Sequence, residues 1–231
     1  MTRGREVLIG RGIYSVSEAA RLSGVQPARI RRWVRGYSFS SGSGTRSSPP
    51  AFDGDLKPIH GAIALSFLDL IEIRFVDAFL RAGVGWPTLR RARREASRLI
   101  GSEHPFCTNT FCTDGKRIFA DMAKIRDEPG IVEVIVRQHY FEAIVRPILV
   151  GLEFTPDDML MRWWPLGARR QVVLDPTRGF GTPIVNREGV PTDVLFQALR
   201  AGNSRETVCS WYRVGASSLS DAEEFERTRA A

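Results

Sequence analysis

The sequence predicts a mainly α-helical protein with small β elements, an α+β chain, and three observations carry that expectation. Capping signals at Ser15/Glu18 and Ser66/Asp69, with prolines at Pro27 and Pro87, precede runs whose apolar residues recur every three to four positions. The β signals are short and turn-centred: Asp114 with Gly115, and "VVLDPTRGFGTPIV" from Val172. Hydrophobic residues make up 43% of the 231 positions, which suffices for packed cores and argues against wholesale disorder.

The first element pair lies in "YSVSEAARLSGVQPARIRRWVRGY", residues 14–37. Ser15 and Glu18 fit a capping box, and Val16, Ala19, Ala20 and Leu22 supply one apolar face. Gly24 breaks the helix, Pro27 suits the first turn of a second one, and Ile30, Trp33 and Val34 share its buried side. Helix, short glycine-containing turn, helix is the helix-turn-helix pattern, whose second helix enters the major groove of DNA with its first residues on base edges. That second helix holds Arg29, Arg31, Arg32 and Arg35, more cations than solubility asks of a short segment. Gln26, Ala28 and Arg29 stand at its exposed start and Arg32 one turn on, placed for base edges; Arg31 and Arg35 are placed for phosphates. The competing reading is a solvated basic face of an ordinary domain.

"SFSSGSGTRSSPPAFDGD" follows, rich in Ser, Gly and Pro. It fits either a linker or, preferably, a long mobile hairpin wing with Arg46 near its tip. A helix over residues 67–80, capped by Ser66 and Asp69, is apolar on more than one side and is expected to be buried. Pro87 opens another, ending at Gly101, with Leu89, Ala92, Ala96 and Leu99 inward. Arg90, Arg91, Arg93, Arg94 and Arg98 are expected on its outer face, as a second phosphate-contacting surface or a plain solvated one. Beyond it the pattern predicts strands at 106–113 and 116–120, a helix over 131–150, and a turn with a short strand before Pro165. From Gln171 it predicts a hairpin and a small three-helix unit: a helix with Val194, Leu195, Ala198 and Leu199, one capped by Ser204 holding Val208, Trp211 and Tyr212, and a last one capped by Ser220 and Glu223.

Lys and Arg number 33 against 26 Asp and Glu, a net charge of +7, and the isoelectric point is about 9.9, the electrostatic footprint of a nucleic-acid binder. No signal-peptide pattern and no run of about 18 apolar residues appears, and three cysteines cannot build a disulfide framework, so a soluble cytoplasmic protein is expected. No phosphate loop, GxGxxG or HExxH occurs, and nothing marks a catalytic triad, so the chain is read as a non-enzyme without catalytic residues or cofactors. His104, Cys107 and Cys112 carry donors that suit zinc, but their spacing matches no common zinc knuckle and a fourth ligand is missing. No metal site is assigned, and buried free thiols are the expected fate of the cysteines. Asp157/Asp158 and Asp221/Glu223/Glu224 are read as acids beside helix starts rather than magnesium ligands.

The N-terminal stretch, its wing and "LSFLDLIEIRFVDAFLRAGVGWPTLRRARREA" together resemble the MerR-like winged helix-turn-helix domain. No long coiled-coil helix follows Gly101, so the MerR dimer and effector site do not carry over. The C-terminal run resembles the small helix-turn-helix module of VapB-like antitoxins, through Asp175 and Pro176, Gly181 to Pro183, Pro191, and Ala201 to Ser204. The division expected is a DNA-binding domain at 1–101, a middle hairpin and helix segment at 102–168 that dimerises, and an antitoxin module at 169–231. The resemblance implies an antitoxin of a toxin-antitoxin system that represses its own operon and neutralises a PIN-like ribonuclease toxin. Ser15, Gln26, Ala28, Arg29, Arg31, Arg32, Arg35 and Arg46 are assigned to operator DNA, and Arg213, Arg227 and Arg229, the last two on a mobile tail, to the toxin. A homodimer away from membranes is expected. The alternative is a stand-alone MerR-like regulator sensing a ligand or metal through the middle segment.

Overall fold

The computed structural model describes residues 8–41, 44–52, 54–113 and 138–230, and these fall into two compact units. One comprises Tyr14–Leu149 with Phe154–Leu160, and the other the remainder. Helices joined by small antiparallel two-stranded sheets make this an α+β protein, as the sequence predicts.

The first unit opens with β1 (Tyr14–Ser15), α1 (Val16–Ser23) and α2 (Pro27–Arg35). A hairpin follows, β2 (Tyr37–Ser41) with β3 (Gly44–Ser48), and then β4 (Ala64–Leu65), which pairs antiparallel with β1. α3 (Phe67–Arg81) starts at the predicted capping box: Ser66 Oγ accepts the Asp69 N–H at 3.0 Å and Asp69 Oδ2 accepts the Ser66 N–H at 2.9 Å. Phe67, Leu70, Ile71, Ile73, Phe75, Val76 and Phe79 are all buried, so α3 is the central helix of this unit, and each such side chain contributes about 1.5–3 kcal/mol. It packs against α1, α4 (Trp86–Ile100) and α5 (Gln138–Leu149). The described part of the helix predicted over 131–150 is thus a helix.

The strand predicted at 106–113 is not one. Residues Pro105–Cys107 form a 3-10 turn and residues 109–113 are helical. Thr108 caps that helix, its Oγ1 accepting the Phe111 N–H at 3.1 Å. Phe106 and Phe111 stand 4.7 Å apart in one aromatic cluster with Phe75 and Phe79. A strand would send residues five apart to opposite faces, whereas a turn followed by a helix buries both. Asp114, Gly115 and the strand predicted at 116–120 lie outside the described residues.

β5 (Leu152–Phe154) pairs with β6 (Leu160–Trp163). In the second unit β7 (Val172–Val173) pairs with β8 (Ile184–Val185), the hairpin that the sequence predicts. Three helices follow: α6 (Thr192–Arg200), α7 (Arg205–Tyr212) and α8 (Ala216–Ala230). Val185, Leu195, Val208, Val214, Leu219 and Ala222 form their common core. Ser204 caps α7 as expected. The last helix begins at Ala216, one turn before Ser220, because its start is held from elsewhere in the chain. Glu188 accepts the Gly215 N–H at 3.1 Å and both its oxygens bond the Ser218 hydroxyl, while Ser220 turns its own hydroxyl back to the Ala216 carbonyl. Asp221, Glu223 and Glu224 therefore lie inside α8, where they pair with arginines rather than with the helix start.

Candidate functional site

The geometry of α1 and α2 follows from their caps. Ser15 Oγ accepts the Glu18 N–H at 3.1 Å, and Glu18 Oε2 accepts the Ser15 N–H at 2.7 Å. Gly24 closes α1 in the left-handed region at φ 74°, and its N–H reaches the Ala20 carbonyl at 2.9 Å. Burial of Ile30 and Trp33, the latter edge-on to Trp86 at 5.8 Å, fixes the rotation of α2 about its axis. Ala28, Arg31, Arg32 and Arg35, at the spacing of one helix face, are thereby left exposed, with Gln26 exposed at the helix start.

Arg29 is placed differently. Its guanidinium pairs with Asp77 of α3 at 3.0 Å and lies 5.0 Å from the Trp33 ring centroid. Arg81 holds the same carboxylate at 2.6 Å. Arg32 stacks 5.4 Å from the Tyr37 ring centroid, which leads α2 into the hairpin. Ser15 is exposed, with its hydroxyl engaged in the cap.

The segment after Tyr37 forms a five-pair hairpin, with Arg46 exposed opposite Phe39 and Ser41 opposite Gly44 next to the tip. Gly36 permits the entry into it: φ is 71°, and a Cβ would stand 2.5 Å from the Ser48 carbonyl oxygen. Arg90 of α4 braces the hairpin's exit, donating to the Pro49 carbonyl at 3.3 Å and to Ser48 Oγ at 3.2 Å. Arg93 turns inward, pairing with the buried Glu72 at 2.8 Å and donating to the Glu103 carbonyl at 2.6 Å. So two of the five arginines expected on the outer face of α4 hold structure, while Arg94 and Arg98 are exposed.

In the second unit Arg213 is exposed at the C-terminal cap of α7, at φ 54°. Arg227 is exposed and pairs with Glu223 at 2.7 Å, and Arg229 lies 5.6 Å from the ring centroids of Trp163 and Phe225. Both sit on α8, which continues through Ala230, rather than on the mobile tail that the sequence suggests. Trp211, on the same helix as Val208, is 62% exposed. Val208 and Tyr212, four apart, take the inner face, and the helical rotation carries Trp211 outward. Its neighbour Arg213 gives this end of the module an exposed aromatic and a cation together.

His104, Cys107 and Cys112, the donors for which the sequence assigns no metal site, have separate surroundings among the described residues. Cys107 is buried, its thiol donating to the Leu68 carbonyl at 3.4 Å, and burial pushes its pKa well up. Burial likewise pushes Cys112 up to about 12, so both remain thiols. His104 bonds instead to Asp55, its Nε2 standing 2.7 Å from Oδ1. Burial pulls the imidazole pKa down, but that hydrogen bond and the charges of Glu72, Asp55 and Asp69 outweigh it and hold it above the ordinary value. The Asp69 carboxyl is pushed up to about 6, chiefly by burial.

No helix among the described residues is long and apolar enough to cross a membrane. No protein-family model matches the chain. It is similar to a Mycobacterium tuberculosis (strain ATCC 25618 / H37Rv) protein named "Putative antitoxin VapB45", with 29% identity over 227 aligned positions that cover 91% of this chain and 92% of that one. It also resembles the X-ray crystal structure of Rv2018 from Mycobacterium tuberculosis, at a TM-score of 0.70 and 27% identity, covering 90% of this chain and 96% of that one. Across nearly its whole length, then, the chain is similar to a protein named as a VapB antitoxin.

Proposed function

We propose that this chain is a VapB-like antitoxin that binds operator DNA through a MerR-like winged helix-turn-helix and neutralises a PIN-like ribonuclease toxin of the VapC type. The observation that carries the DNA half is the exposed row Ala28, Arg31, Arg32 and Arg35 on α2, followed at once by the hairpin with Arg46. A helix of this width fits the major groove, and a hairpin beside it is placed to reach the flanking backbone. The net charge of +7 supplies the attraction that any such complex needs. Similarity to the protein named as an antitoxin supports the toxin half and a role without catalysis.

Within this reading Gln26, Ala28 and Arg32 face base edges, and Arg31, Arg35 and Arg46 face phosphates. Arg29 reaches DNA only by leaving Asp77, so its first role is to fix α2 on α3. Band shifts on the chain's own promoter and on a scrambled duplex test the assignment. Arg31→Ala and Arg35→Ala should weaken both duplexes alike and each lower the salt slope by about one. Arg32→Ala should cost about 1–3 kcal/mol on the promoter alone. Unchanged binding by all three variants refutes the DNA-binding face.

The toxin half is tested by co-purification with the product of the adjacent gene. The contact is assigned to the C-terminal module, to Arg213, Arg227 and Arg229 together with Trp211. Arginine forks pair bidentately with carboxylates of the kind a metal-dependent ribonuclease gathers, and exposed tryptophan is a frequent interface anchor.

A further inference from the structure

We propose that Asp55, Asp69 and His104 form a binding site for one divalent transition-metal cation of the zinc class, inside the unit that carries the helix-turn-helix. The three residues come from separate segments: the loop between β3 and β4, the first turn of α3, and the chain beyond α4. One candidate ligand atom from each lies within 4.8 Å of the other two. Asp69 Oδ2 accepts N–H groups of Ser66 at 2.9 Å and Asp55 at 3.2 Å, but its Oδ1 is buried without a hydrogen-bond partner among the described residues. Among the described residues His104 Nδ1 and Glu72 Oε1, 3.8 Å apart, are also buried without hydrogen-bond partners. Native interiors rarely leave such atoms unmatched, and the unmatched Asp69 carboxylate oxygen, in a cluster with Asp55 and His104, points to a ligand.

Charge points the same way. Asp55, Asp69 and Glu72 bring three carboxylates, and Arg93, 2.8 Å from Glu72, brings one guanidinium. Three carboxylates gathered about one imidazole favour a bound cation. An imidazole nitrogen with carboxylate oxygens suits zinc, iron or manganese better than calcium or copper(I). Glu72 stands where an outer carboxylate orients a metal-bound histidine, facing its second ring nitrogen while Arg93 anchors it. The competing arrangement is neutralisation by protons on Asp69 and His104, with no ion. Ligation would tie the segment leaving the hairpin to α3 and to the exit of α4, stabilising the folded unit by mass action.

The test uses the full-length protein, stripped with a chelator and titrated separately with zinc chloride and magnesium chloride. Calorimetry and elemental analysis after gel filtration should give about one zinc per chain, and the thermal midpoint should rise with zinc. Glu72→Gln should weaken zinc binding by roughly 10- to 100-fold, and Asp55→Asn should abolish the thermal shift. A Cys107→Ser/Cys112→Ser variant should bind as the parent does, with X-ray absorption showing nitrogen and oxygen ligands alone. Circular dichroism confirms that each variant folds; Asp55, the most exposed of the three, carries the test if Asp69→Asn does not fold. The proposal falls if stripped protein takes up no zinc, if folded Asp55→Asn binds it unchanged, or if the serine variant loses it. Equal binding of magnesium would overturn the zinc-class assignment.

Discussion

Asp175 shows how one side chain can fasten a turn. It is buried, and it accepts the Thr177 N–H at 2.9 Å, the Thr177 hydroxyl at 2.6 Å and Arg162 Nε at 2.9 Å. Burial alone would raise its pKa, but these donors outweigh it and hold the carboxyl below its usual value. A carboxylate with a lowered folded pKa adds stability that is fully present above its unfolded value of about 3.9. That contribution is lost as pH falls through the folded value. Asp175→Ala should therefore cost about 1–3 kcal/mol at pH 7, because it strands these donors. In urea titrations the gap between parent and variant should narrow below roughly pH 4. A gap that widens in acid would contradict the assignment. At the same scale Arg29 and Arg31 look alike in sequence but differ in place. Arg29→Ala should lower the thermal midpoint, since it removes a partner of the largely buried Asp77. Arg31→Ala, on an exposed position, should leave the midpoint unchanged.

At the scale of elements, α8 and the hairpin are each set by a contact from elsewhere. Glu188 caps α8 from the loop before α6, so Glu188→Ala should destabilise the C-terminal module by about 0.5–2 kcal/mol, the range of a lost cap. Hydrogen exchange should localise the loss to residues 215–218, and uniform loss across the module would argue against a capping role. The hairpin depends on Gly36 in the same way. Gly36→Ala would place a methyl against the Ser48 carbonyl at a positive φ, so the hairpin must open or shift. Its β2 and β3 amides should exchange faster, and DNA affinity should fall with α2 itself intact.

For the whole molecule, oligomeric state and partner contacts each have a direct measurement. A homodimer remains our expectation, since paired half-sites mirror a two-fold axis. α3 buries its apolar faces within its own unit, so a dimer interface would use another surface. Light scattering decides, and a monomer mass at working concentration removes the expectation. For the toxin, removing the residues after Glu226 would also strip Arg229 from Trp163 and Phe225, confounding inhibition with folding. The cleaner variants are Arg227→Ala and Trp211→Ala, both on exposed positions. Each should weaken inhibition of the ribonuclease at least tenfold, about 1.4 kcal/mol, without moving the thermal midpoint. Full inhibition by both would place the toxin contact elsewhere.

Features whose physics is local were legible in the amino-acid order. The capping boxes at Ser15/Glu18 and Ser66/Asp69, the glycine stop at Gly24 and the hairpin between Val172 and Val185 each involve residues close in the chain. The amino-acid order also indicated which face of α2 is solvated, because Ile30 and Trp33 are enough to orient a short helix. Tertiary structure decided wherever a distant partner settles a choice between near-equal local ones. Residues 106–113 read as a strand, but Phe75 and Phe79 offer Phe106 and Phe111 one core that only a turn and helix can reach. The start of α8 awaited Glu188, and the roles of Arg29, Arg90 and Arg93 awaited Asp77, Ser48 and Glu72. Arginine carries the same charge on a groove-facing helix as in a buried pair, so its type alone cannot tell the two apart. His104 stood beside two cysteines in sequence, but its neighbours in space are Asp55, Asp69 and Glu72, because the turn after α4 folds it back onto α3.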